Sequence, residues 1–342
     1  MNAGTLLIRA DANPAIGTGH IMRCLALAQG WQDAGGAVVV AAAELPAAIE
    51  KRLTAEEITI VKLRSNALTG SDAPELAGVA RERKARWVVL DGERFGSDYI
   101  TTLKQHNLEI LWVDDFGSER AHDADLILNQ NLGASRDDYA WCHDDTRLLL
   151  GTKYVMLRRE FLQAKLRVEI PETARKLLVT FGGSDPDGLT EKVLQAIATD
   201  PPGVSVTVVV GAGNPRLPTL REVADSLGVN LLADPQNMPE LMAESDLAVI
   251  AAGGTLWELL YCGCAVLSYS RNSVQANVIA KLVEAGAACD LGPVAAFAPA
   301  ELCAAIRRVG SSAAQRGRMR ASGRRIVDGD GVAQVLRAMN GE

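Results

Sequence analysis

The chain alternates short apolar runs with segments in which apolar residues recur at helical spacing. In residues 20–34, for example, Ile21, Leu25 and Ala28 fall on one helical face. The runs with β character are 5–10, 37–42, 87–92, 109–115 and 124–131 in the first half, and 176–181, 204–211, 229–234, 246–251 and 265–270 in the second. This alternation predicts βαβ units around parallel sheets, with functional loops after the carboxyl ends of the strands.

A charged stretch that contains a proline, residues 158–175, interrupts this rhythm. We interpret it as a linker between two Rossmann-like α/β domains, residues 1–157 and 176–342. The last helix is a candidate to pack back on the first domain. Because Gly-rich turns follow strands in both halves, we expect two doubly wound domains with a ligand cleft between them.

Composition narrows the classes of ligand. With 35 basic and 42 acidic residues, the net charge is −7, which gives no general attraction to nucleic acid or to an anionic membrane. An anionic ligand must therefore be held locally, by backbone amides, helix ends or a few arginines. We expect a cytoplasmic protein, because the start of the chain lacks the basic region of a signal peptide. We also expect a monomer or a small homo-oligomer. No apolar run reaches the roughly 18 residues that span a membrane.

Cysteine and histidine spacings give no sign of a metal. The six cysteines include no CxxC pair, and the C-x-C of Cys262 and Cys264 is not a zinc knuckle by itself. The four histidines have neither HExxH nor HxH spacing. We therefore expect buried, reduced thiols, no metal site and no cofactor.

The stretch IGTGH, residues 16–20, follows the first predicted strand and opens the first predicted helix. Gly17 and Gly19 would let the backbone and the helix-start amides approach an anionic ligand; equally, they could form only a turn and a cap. The stretch is not GxGxxG, so it does not indicate a dinucleotide site. Because the positive end of a helix disfavours imidazolium, we expect His20 to be neutral near pH 7 and available as a general base.

A second Gly-rich turn ends the first strand of the second half, in TFGGSDPDGLT, residues 180–190. Gly182, Gly183 and Ser184 offer backbone amides and a hydroxyl to a ligand. Alternatively, Ser184 or Asp187 caps the helix that follows.

A third such turn lies in IAAGGTLWELL, residues 250–260. Gly253, Gly254 and Thr255 precede a helix and would seat a diphosphate at its amino terminus. Glu258 lies one turn inside that helix, where its carboxylate could accept hydrogen bonds from a ribose diol. The alternative is a glutamate that is merely favoured by the helix dipole.

Acidic residues end two strands of the first half, in LDGE (90–93) and WVDD (112–115). Asp114 and Asp115 could serve acid–base chemistry, although such an acid more often caps the next turn. The arginine-rich residues 316–325 are interpreted as a solvated helix face, since the acidic total argues against nucleic-acid contact.

Seven motifs together resemble one family. They are RADANPAIGTGHIMRCLALA, ILWVDD, ADLILNQN, LLLGTKYVMLRREF, VTFGGSDPDGLT, AAGGTLWELLYCG and IVDGDG, and they extend from Ile8 to about Gly331. The set resembles the UDP-sugar hydrolases of pseudaminic acid biosynthesis and the related spore-coat polysaccharide proteins, which are similar to GT-B glycosyltransferases. The resemblance implies a GT-B fold and metal-independent hydrolysis of UDP-2,4-diacetamido-2,4,6-trideoxy-β-L-altropyranose, which releases UDP and the free sugar.

The resemblance also implies roles for residues of the first half. His20 matches the family's GxGH histidine, which activates or orients water at the anomeric carbon. Gly17 and Gly19 would let the loop approach the diphosphate, and Arg9 and Asp11 would lie beside it at the strand end.

In the second half, the resemblance implies a UDP site. The turns Gly182-Gly183-Ser184 and Gly253-Gly254-Thr255 would hold the diphosphate, and Glu258 would bind the ribose hydroxyls. The segment DPQNM, which ends at Met238, would contact the uracil through backbone groups.

Two positions on the sugar side depart from the family pattern. Glu93 stands where a tyrosine is expected, and Val274 stands where an asparagine precedes Gln275; Asn272 and Asn277 lie close by. Glu93 and Gln275 remain the expected sugar contacts. A hydrolase for a different nucleotide sugar, a GT-B glycosyltransferase and a non-catalytic nucleotide-sugar binder therefore stay as alternatives.

Overall fold

Strands and helices alternate along both halves of the chain. The structure, a computed structural model, describes residues 4–13, 16–64, 72–92, 94–117 and 123–342. The strands are β1 Thr5–Ala10, β2 Ala37–Ala42, β3 Thr59–Lys62, β4 Ala85–Asp91, β5 Glu109–Val113, β6 Leu126–Asn129, β7 Arg147–Leu150, β8 Lys176–Thr180, β9 Ser205–Val210, β10 Asn230–Ala233, β11 Leu247–Ala251, β12 Ala265–Ser270 and β13 Ala288–Pro293. The helices are α1 Gly19–Asp33, α2 Ala47–Ala55, α3 Ala73–Arg83, α4 Ser97–Lys104, α5 Arg159–Leu162, α6 Leu189–Thr199, α7 Leu217–Ser226, α8 Met238–Glu244, α9 Gly254–Cys262, α10 Ser273–Glu284, α11 Pro299–Gly310, α12 Ala313–Ile326 and α13 Gly331–Met339. Single turns of 3-10 helix lie at Arg136–Tyr139, Thr152–Tyr154 and Val294–Ala296.

All ten apolar runs form strands, and each observed bound lies within two residues of the predicted one. The predicted α/β class with doubly wound parallel sheets is confirmed. The hydrophobic pattern missed β3, β7 and β13. All three lie at sheet edges, where most of their side chains are partly or fully exposed.

The first compact unit comprises Met1–Arg159 and Gly329–Glu342. Its described strands form one parallel sheet in the order β3-β2-β1-β4-β5-β6-β7. Helices α1 and α13 bury their apolar side chains on one face of this sheet, and α3 and α4 bury theirs on the other. Gly331 opens α13 directly against the chain at Val155, where an added Cβ would lie 2.0 Å from the carbonyl oxygen. Only glycine permits this close approach.

The second compact unit comprises Glu160–Asp328. Its described strands form a second parallel sheet in the order β10-β9-β8-β11-β12-β13. Helices α6, α7 and α11 cover one face with buried apolar side chains. The chain thus enters this unit within α5, inside the stretch that we interpreted as a linker, and leaves it after Asp328.

Each sheet has one topological switch point, at which the strand order reverses. In the first unit it lies between β1 and β4, where Ala10 pairs with Asp91. In the second unit it lies between β8 and β11, where Thr180 pairs with Ile250. Open parallel sheets bind their ligands beyond the carboxyl ends of the strands at such points, so the loops that follow these four strands are the places to look for a site.

The arginine-rich segment of α12 does not form the solvated face that we expected. Arg316 is only 3% exposed and donates to the carbonyls of Val309, Gly310 and Pro171. One turn later, Arg320 donates to the carbonyls of Gly263 (3.1 Å) and Val168 (2.8 Å). Arg316 and Arg320 therefore satisfy backbone oxygens of the segment before β8 and of the ends of α9 and α11, which polarity alone did not indicate.

Candidate active site

His20 and Asp91 meet at the switch point of the first unit. His20 is the second residue of α1, which begins after the loop that follows β1. Asp91 is the last residue of the neighbouring strand β4, and its side chain is fully buried. The Nδ1 atom of His20 lies 2.5 Å from Oδ1 of Asp91, although 71 residues separate the two in the sequence. His20 itself stays partly exposed, with 22% of its side chain accessible.

Arg23, one helical turn after His20, holds the same carboxylate. Its Nε lies 2.6 Å from Oδ2 of Asp91 and its second terminal nitrogen lies 2.7 Å from Oδ1, which is a two-pronged ion pair. Its first terminal nitrogen donates to Asp115, at 2.9 Å. An ionised carboxylate has no hydrogen to donate, so Nδ1–H of His20 donates to Asp91, although the second terminal nitrogen of Arg23 also lies 3.2 Å from the same Nδ1. In a neutral imidazole, Nε2 is then the unprotonated nitrogen.

In this cluster, the attraction between opposite charges and the burial of the charged groups shift the pKa values of Asp91 and His20 in opposite directions. Burial by itself would raise the pKa of Asp91, but attraction to Arg23 and His20 outweighs it and holds that pKa well below the usual range of a carboxyl group. Burial would lower the pKa of His20, but the charge and hydrogen bond of Asp91 outweigh it and raise that pKa. The helix dipole alone predicted a shift toward the neutral form, whereas Asp91 raises the pKa of the imidazole; that His20 is neutral near pH 7 stays a prediction.

The glycines of the IGTGH loop differ in what the fold asks of them. Gly17 has φ +77°, and its N–H donates to the carbonyl of Asn13 at 2.7 Å, so it closes a tight turn. Gly19 has no atom within 4 Å of an added Cβ and no positive φ. Thr18 does not cap α1 with its side chain. Turn formation therefore explains the first glycine and leaves the second without a packing role.

Arg9 and Asp11 lie at the end of β1 but turn into the protein. Arg9 is 0% exposed and pairs with Asp72 (2.6 Å) and Asp11 (2.7 Å). Asp11 also accepts hydrogen bonds from the backbone of Ala43 and Glu44 after β2. Both charges are thus engaged in fixing neighbouring strand ends. The other sugar-side candidate of this half, Glu93, lies outside the described residues.

The paired acids after β5 have separate roles. Asp114 accepts hydrogen bonds from the backbone of Phe116 and Gly117 and from the hydroxyl of Tyr139, at 2.7 to 3.1 Å. It therefore caps a turn, as the structural alternative predicted. Asp115 instead pairs with Arg23.

In the second unit, both Gly-rich turns lie at the switch point. Gly182 and Gly183 follow β8, and Gly253 and Gly254 follow β11, which pairs directly with β8. These four glycines are exposed, and Gly182 has φ +84°. Helix α9 begins at Gly254 with no side-chain cap. The turns therefore present backbone rather than side chains at this edge of the sheet.

The cap of α6 is neither of the residues that we considered. Asp185, which is 0% exposed, accepts from the amides of Leu189 (3.0 Å) and Thr190 (2.9 Å). Asp187 instead forms an ion pair with Arg271 after β12, at 2.7 Å. Ser184 is half-buried and is left out of the cap.

The GGS turn rests against the end of β9. The N–H of Gly211, the residue after β9, donates to the carbonyl of Gly183 at 3.1 Å. A Cβ at Gly211 would lie 2.5 Å from that oxygen and 2.8 Å from the Cα of Gly183. Glycine at 211 is thus required for the position of the turn.

The remaining candidates of this unit lie around the same edge. Thr255 and Glu258 are half-buried on the first turns of α9, and Met238 opens α8 and is also half-buried. Gln275 takes part in the cap of its own helix α10: its backbone N–H donates to the side chain of the capping residue Asn272 at 2.9 Å, and its side-chain oxygen accepts from the backbone N–H of Arg271 at 2.8 Å.

Sequence reasoning missed Asp91 and Arg23 as members of the site. The signals were present but weak. Asp91 lies in the LDGE motif, which was expected to reach the functional edge, and Arg23 lies three residues after His20, hence on the same face of α1. What the sequence did not contain was the pairing of β1 with β4.

In the ranges that the structure describes, no three His, Cys, Asp or Glu side chains come together as a metal-ion site. Over the same ranges, no helix combines the length and the apolar character that crossing a membrane requires. The six cysteines form no disulfide, and all but Cys142 are buried.

No protein-family model matches the chain. It is 28% identical to the spore coat polysaccharide biosynthesis protein SpsG of Bacillus subtilis, over 62% of this chain and 63% of that protein. It is 27% identical to the UDP-2,4-diacetamido-2,4,6-trideoxy-β-L-altropyranose hydrolase of Campylobacter jejuni, over 75% of this chain and 87% of that protein. An uncharacterized protein of Methanocaldococcus jannaschii is 24% identical, over 79% of this chain and 56% of that protein. The chain thus spans less than two thirds of the length of the first and third of these relatives.

Solved structures resemble the whole chain. MurG of Acinetobacter baumannii superposes with a TM-score of 0.66 at 15% identity, over 99% of this chain and 100% of that one. HepE of Anabaena, solved in complex with UDP-glucose, gives 0.63 at 16% identity, over 98% and 99% of the two chains. At such identities the likeness concerns the fold. With its two parallel α/β domains, the chain has the GT-B fold.

Proposed function

We propose that this protein hydrolyses a UDP-linked deoxy-amino sugar to UDP and the free sugar, without a metal. The specific substrate that we propose is UDP-2,4-diacetamido-2,4,6-trideoxy-β-L-altropyranose, as in pseudaminic acid biosynthesis. The observation that carries the proposal is the His20–Asp91 pair, whose Nδ1–Oδ1 distance is 2.5 Å, at the switch point after a Gly-rich loop. The name of the Campylobacter relative supports the choice of substrate.

The chemistry assigned to His20 follows from its tautomer. Nε2 takes a proton from water as the water oxygen bonds to the anomeric carbon, and the bond from that carbon to the diphosphate oxygen breaks toward UDP. The imidazolium that forms is stabilised by Asp91, which is ionised and buried beside Nδ1. Asp91 is thus a positioning and charge-balancing group, and His20 is the general base.

Nucleotide binding is assigned to the second unit. The exposed turns at Gly182-Gly183 and Gly253-Gly254 offer backbone amides, and helix α9 directs its amino terminus to the same edge. Such amides stabilise the charge that develops on a departing diphosphate. Glu258 would accept hydrogen bonds from the ribose, and Met238 would contribute backbone contacts to the uracil.

A GT-B glycosyltransferase is the second candidate, since a solved structure of similar fold, from Rickettsia africae, is named a glycosyltransferase. In that case His20 would deprotonate an acceptor hydroxyl instead of water. The two reactions differ in one measurable respect, namely whether UDP leaves when no acceptor is present.

The test is a coupled assay of UDP release on a panel of UDP-amino sugars, with mass spectrometry of the sugar product. We expect release without an acceptor, incorporation of one oxygen from labelled water into the sugar, and a fall of at least about 100-fold in kcat for His20→Ala. His106→Ala, which removes an exposed histidine of the same unit, is the matched control and should be active. Near-full turnover by His20→Ala would overturn the assignment of the base, and acceptor-dependent release would replace hydrolysis by transfer.

A further inference from the structure

We propose that Arg23 is a positioning residue for His20. By binding both oxygens of Asp91, it orients one of them toward Nδ1, which keeps the proton on Nδ1 and leaves Nε2 of the neutral imidazole unprotonated. The proposal rests on the proposed function in one respect, since it assumes that Nε2 is the reacting atom. Its structural part, that Arg23 sets the tautomer and the basicity of His20, can be tested without any substrate.

The geometry distinguishes this grip from an ordinary ion pair. Arg23 binds Asp91 through two different nitrogens, at 2.6 and 2.7 Å, and a third nitrogen reaches Asp115. A planar guanidinium held at three points fixes the plane of the carboxylate as well as its position. Oδ1 of Asp91 is then shared between Arg23 and Nδ1 of His20, so a rotation of the carboxylate away from the imidazole would break the ion pair.

Arg23 also balances charge around the imidazole. The groups that face His20 are Asp91 from the end of β4, Asp115 from the segment after β5, and Arg23 from α1 itself. The thiol of Cys24 contacts Asp91 as well, at 3.4 Å. Both carboxylates favour imidazolium and the guanidinium opposes it. Without Arg23, two unbalanced carboxylates would hold the proton on His20, and a protonated base cannot activate water.

Three variants separate aim from charge. Arg23→Gln removes both the two-point contact with Asp91 and the positive charge. At neutral pH, kcat/KM should therefore fall by at least about tenfold, and the acid limb of the pH profile of kcat/KM should move to higher pH. Arg23→Lys keeps the charge but cannot grip two oxygens; it should lose rate while its acid limb stays near that of the wild type. Asp115→Asn removes a carboxylate and should move the acid limb to lower pH. Arg81→Gln, on the exposed face of α3, makes the same charge change as Arg23→Gln and should alter neither quantity.

The deciding measurement is made on the ligand-free protein. Long-range proton–nitrogen NMR of the four histidines, with His20→Gln to assign the signal, reports both the tautomer and the titration of His20. We expect the Nδ1-protonated form in the wild type, and a loss of that preference with a higher titration midpoint in Arg23→Gln. Thermal unfolding shows whether each variant is folded. If Arg23→Gln does not fold, the titration of His20 is measured in Asp115→Asn, which alters only a partly exposed side chain.

The outcomes are distinguishable. If the tautomer and titration of His20 are unchanged in folded Arg23→Gln, or if the titration of His20 does not move to lower pH in Asp115→Asn, the role of Arg23 is overturned, whatever the activity. If they change as expected while no UDP-sugar is hydrolysed, the role of Arg23 stands and the proposed reaction fails.

Discussion

Replacing Gly211 by alanine would press a methyl group against the GGS turn from behind. The added Cβ would lie 2.5 Å from the carbonyl oxygen of Gly183 and 2.8 Å from its Cα, whereas real contacts of this kind are essentially never under 3.0 Å. The neighbour is backbone, so no side-chain rotation relieves the clash. Either the end of β9 or the turn must move.

The free-energy cost of Gly211→Ala depends on whether the end of β9 or the GGS turn moves. To reach a contact of 3.0 Å the carbonyl must retreat by about 0.5 Å, and the hydrogen bond from Gly211, worth about 0.5–1.5 kcal/mol, is strained or lost. Overpacking of this kind costs about 1–3 kcal/mol, against a domain stability of about 5–15 kcal/mol. Gly211 is buried whereas Gly183 is exposed, so we expect the unit to stay folded and the turn to be displaced.

If the amides of this turn hold a diphosphate, the displacement must appear in UDP binding. A hydrogen bond to a charged group contributes about 1.5–3 kcal/mol, so loss of one such bond to the diphosphate should weaken UDP binding by about tenfold or more. The assay is titration calorimetry with UDP, accompanied by thermal unfolding. Gly213→Ala is the matched control: it lies in the same loop, has no positive φ, and has no atom within 4 Å of its Cβ. Unchanged UDP affinity in folded Gly211→Ala, or equal weakening in Gly213→Ala, would refute the reasoning.

Two stability predictions accompany it. Asp185→Ala removes two buried hydrogen bonds at the start of α6 and should cost about 1–2 kcal/mol in urea unfolding, whereas Asp187→Ala breaks only a partly exposed ion pair and should cost about 0–1 kcal/mol; equal losses would contradict the assignment of the cap. Asp91→Asn leaves Arg23 and His20 without their shared partner and should destabilise the protein by about 3–5 kcal/mol at pH 7. Because the pKa of Asp91 is held below its usual range in the folded state, the wild type keeps this contribution above the pKa of an ordinary carboxyl group and loses it as the pH falls toward the folded-state pKa. The free energies of unfolding of the two proteins should therefore converge below about pH 5, and a difference that stays constant from about pH 5 to 2 would exclude this role.

The elements that the sequence revealed are those in which local pattern and burial agree. Strands β1 and β8 are apolar runs because both faces of a parallel sheet are covered. The Gly-rich segments that follow these strands indicate turns directly. Edge strand β3 has only partly buried and exposed residues, so its pattern carries no such signal. The helix cap at Asp185 was misplaced because three candidate acceptors lie within four residues, and only the φ of +41° at Asp185 turns the correct one toward α6.

The direction of the pKa shift of His20 could not be read from its neighbours in sequence, because the helix start predicts a lower pKa and Asp91 raises it. The dipole of a helix acts as roughly half a charge, whereas Asp91 is a full, buried charge at 2.5 Å from Nδ1 of His20. The carboxylate therefore has the larger effect on the pKa of His20. That Asp91 is the partner of His20 depends on β4 lying next to β1, and the alternation of strands and helices in the sequence does not specify which strands are neighbours. In the second unit, the corresponding pairing of β8 with β11 brings the two glycine turns together. One switch point therefore carries balanced side-chain charges suited to moving a proton, and the other carries bare backbone suited to binding an anion.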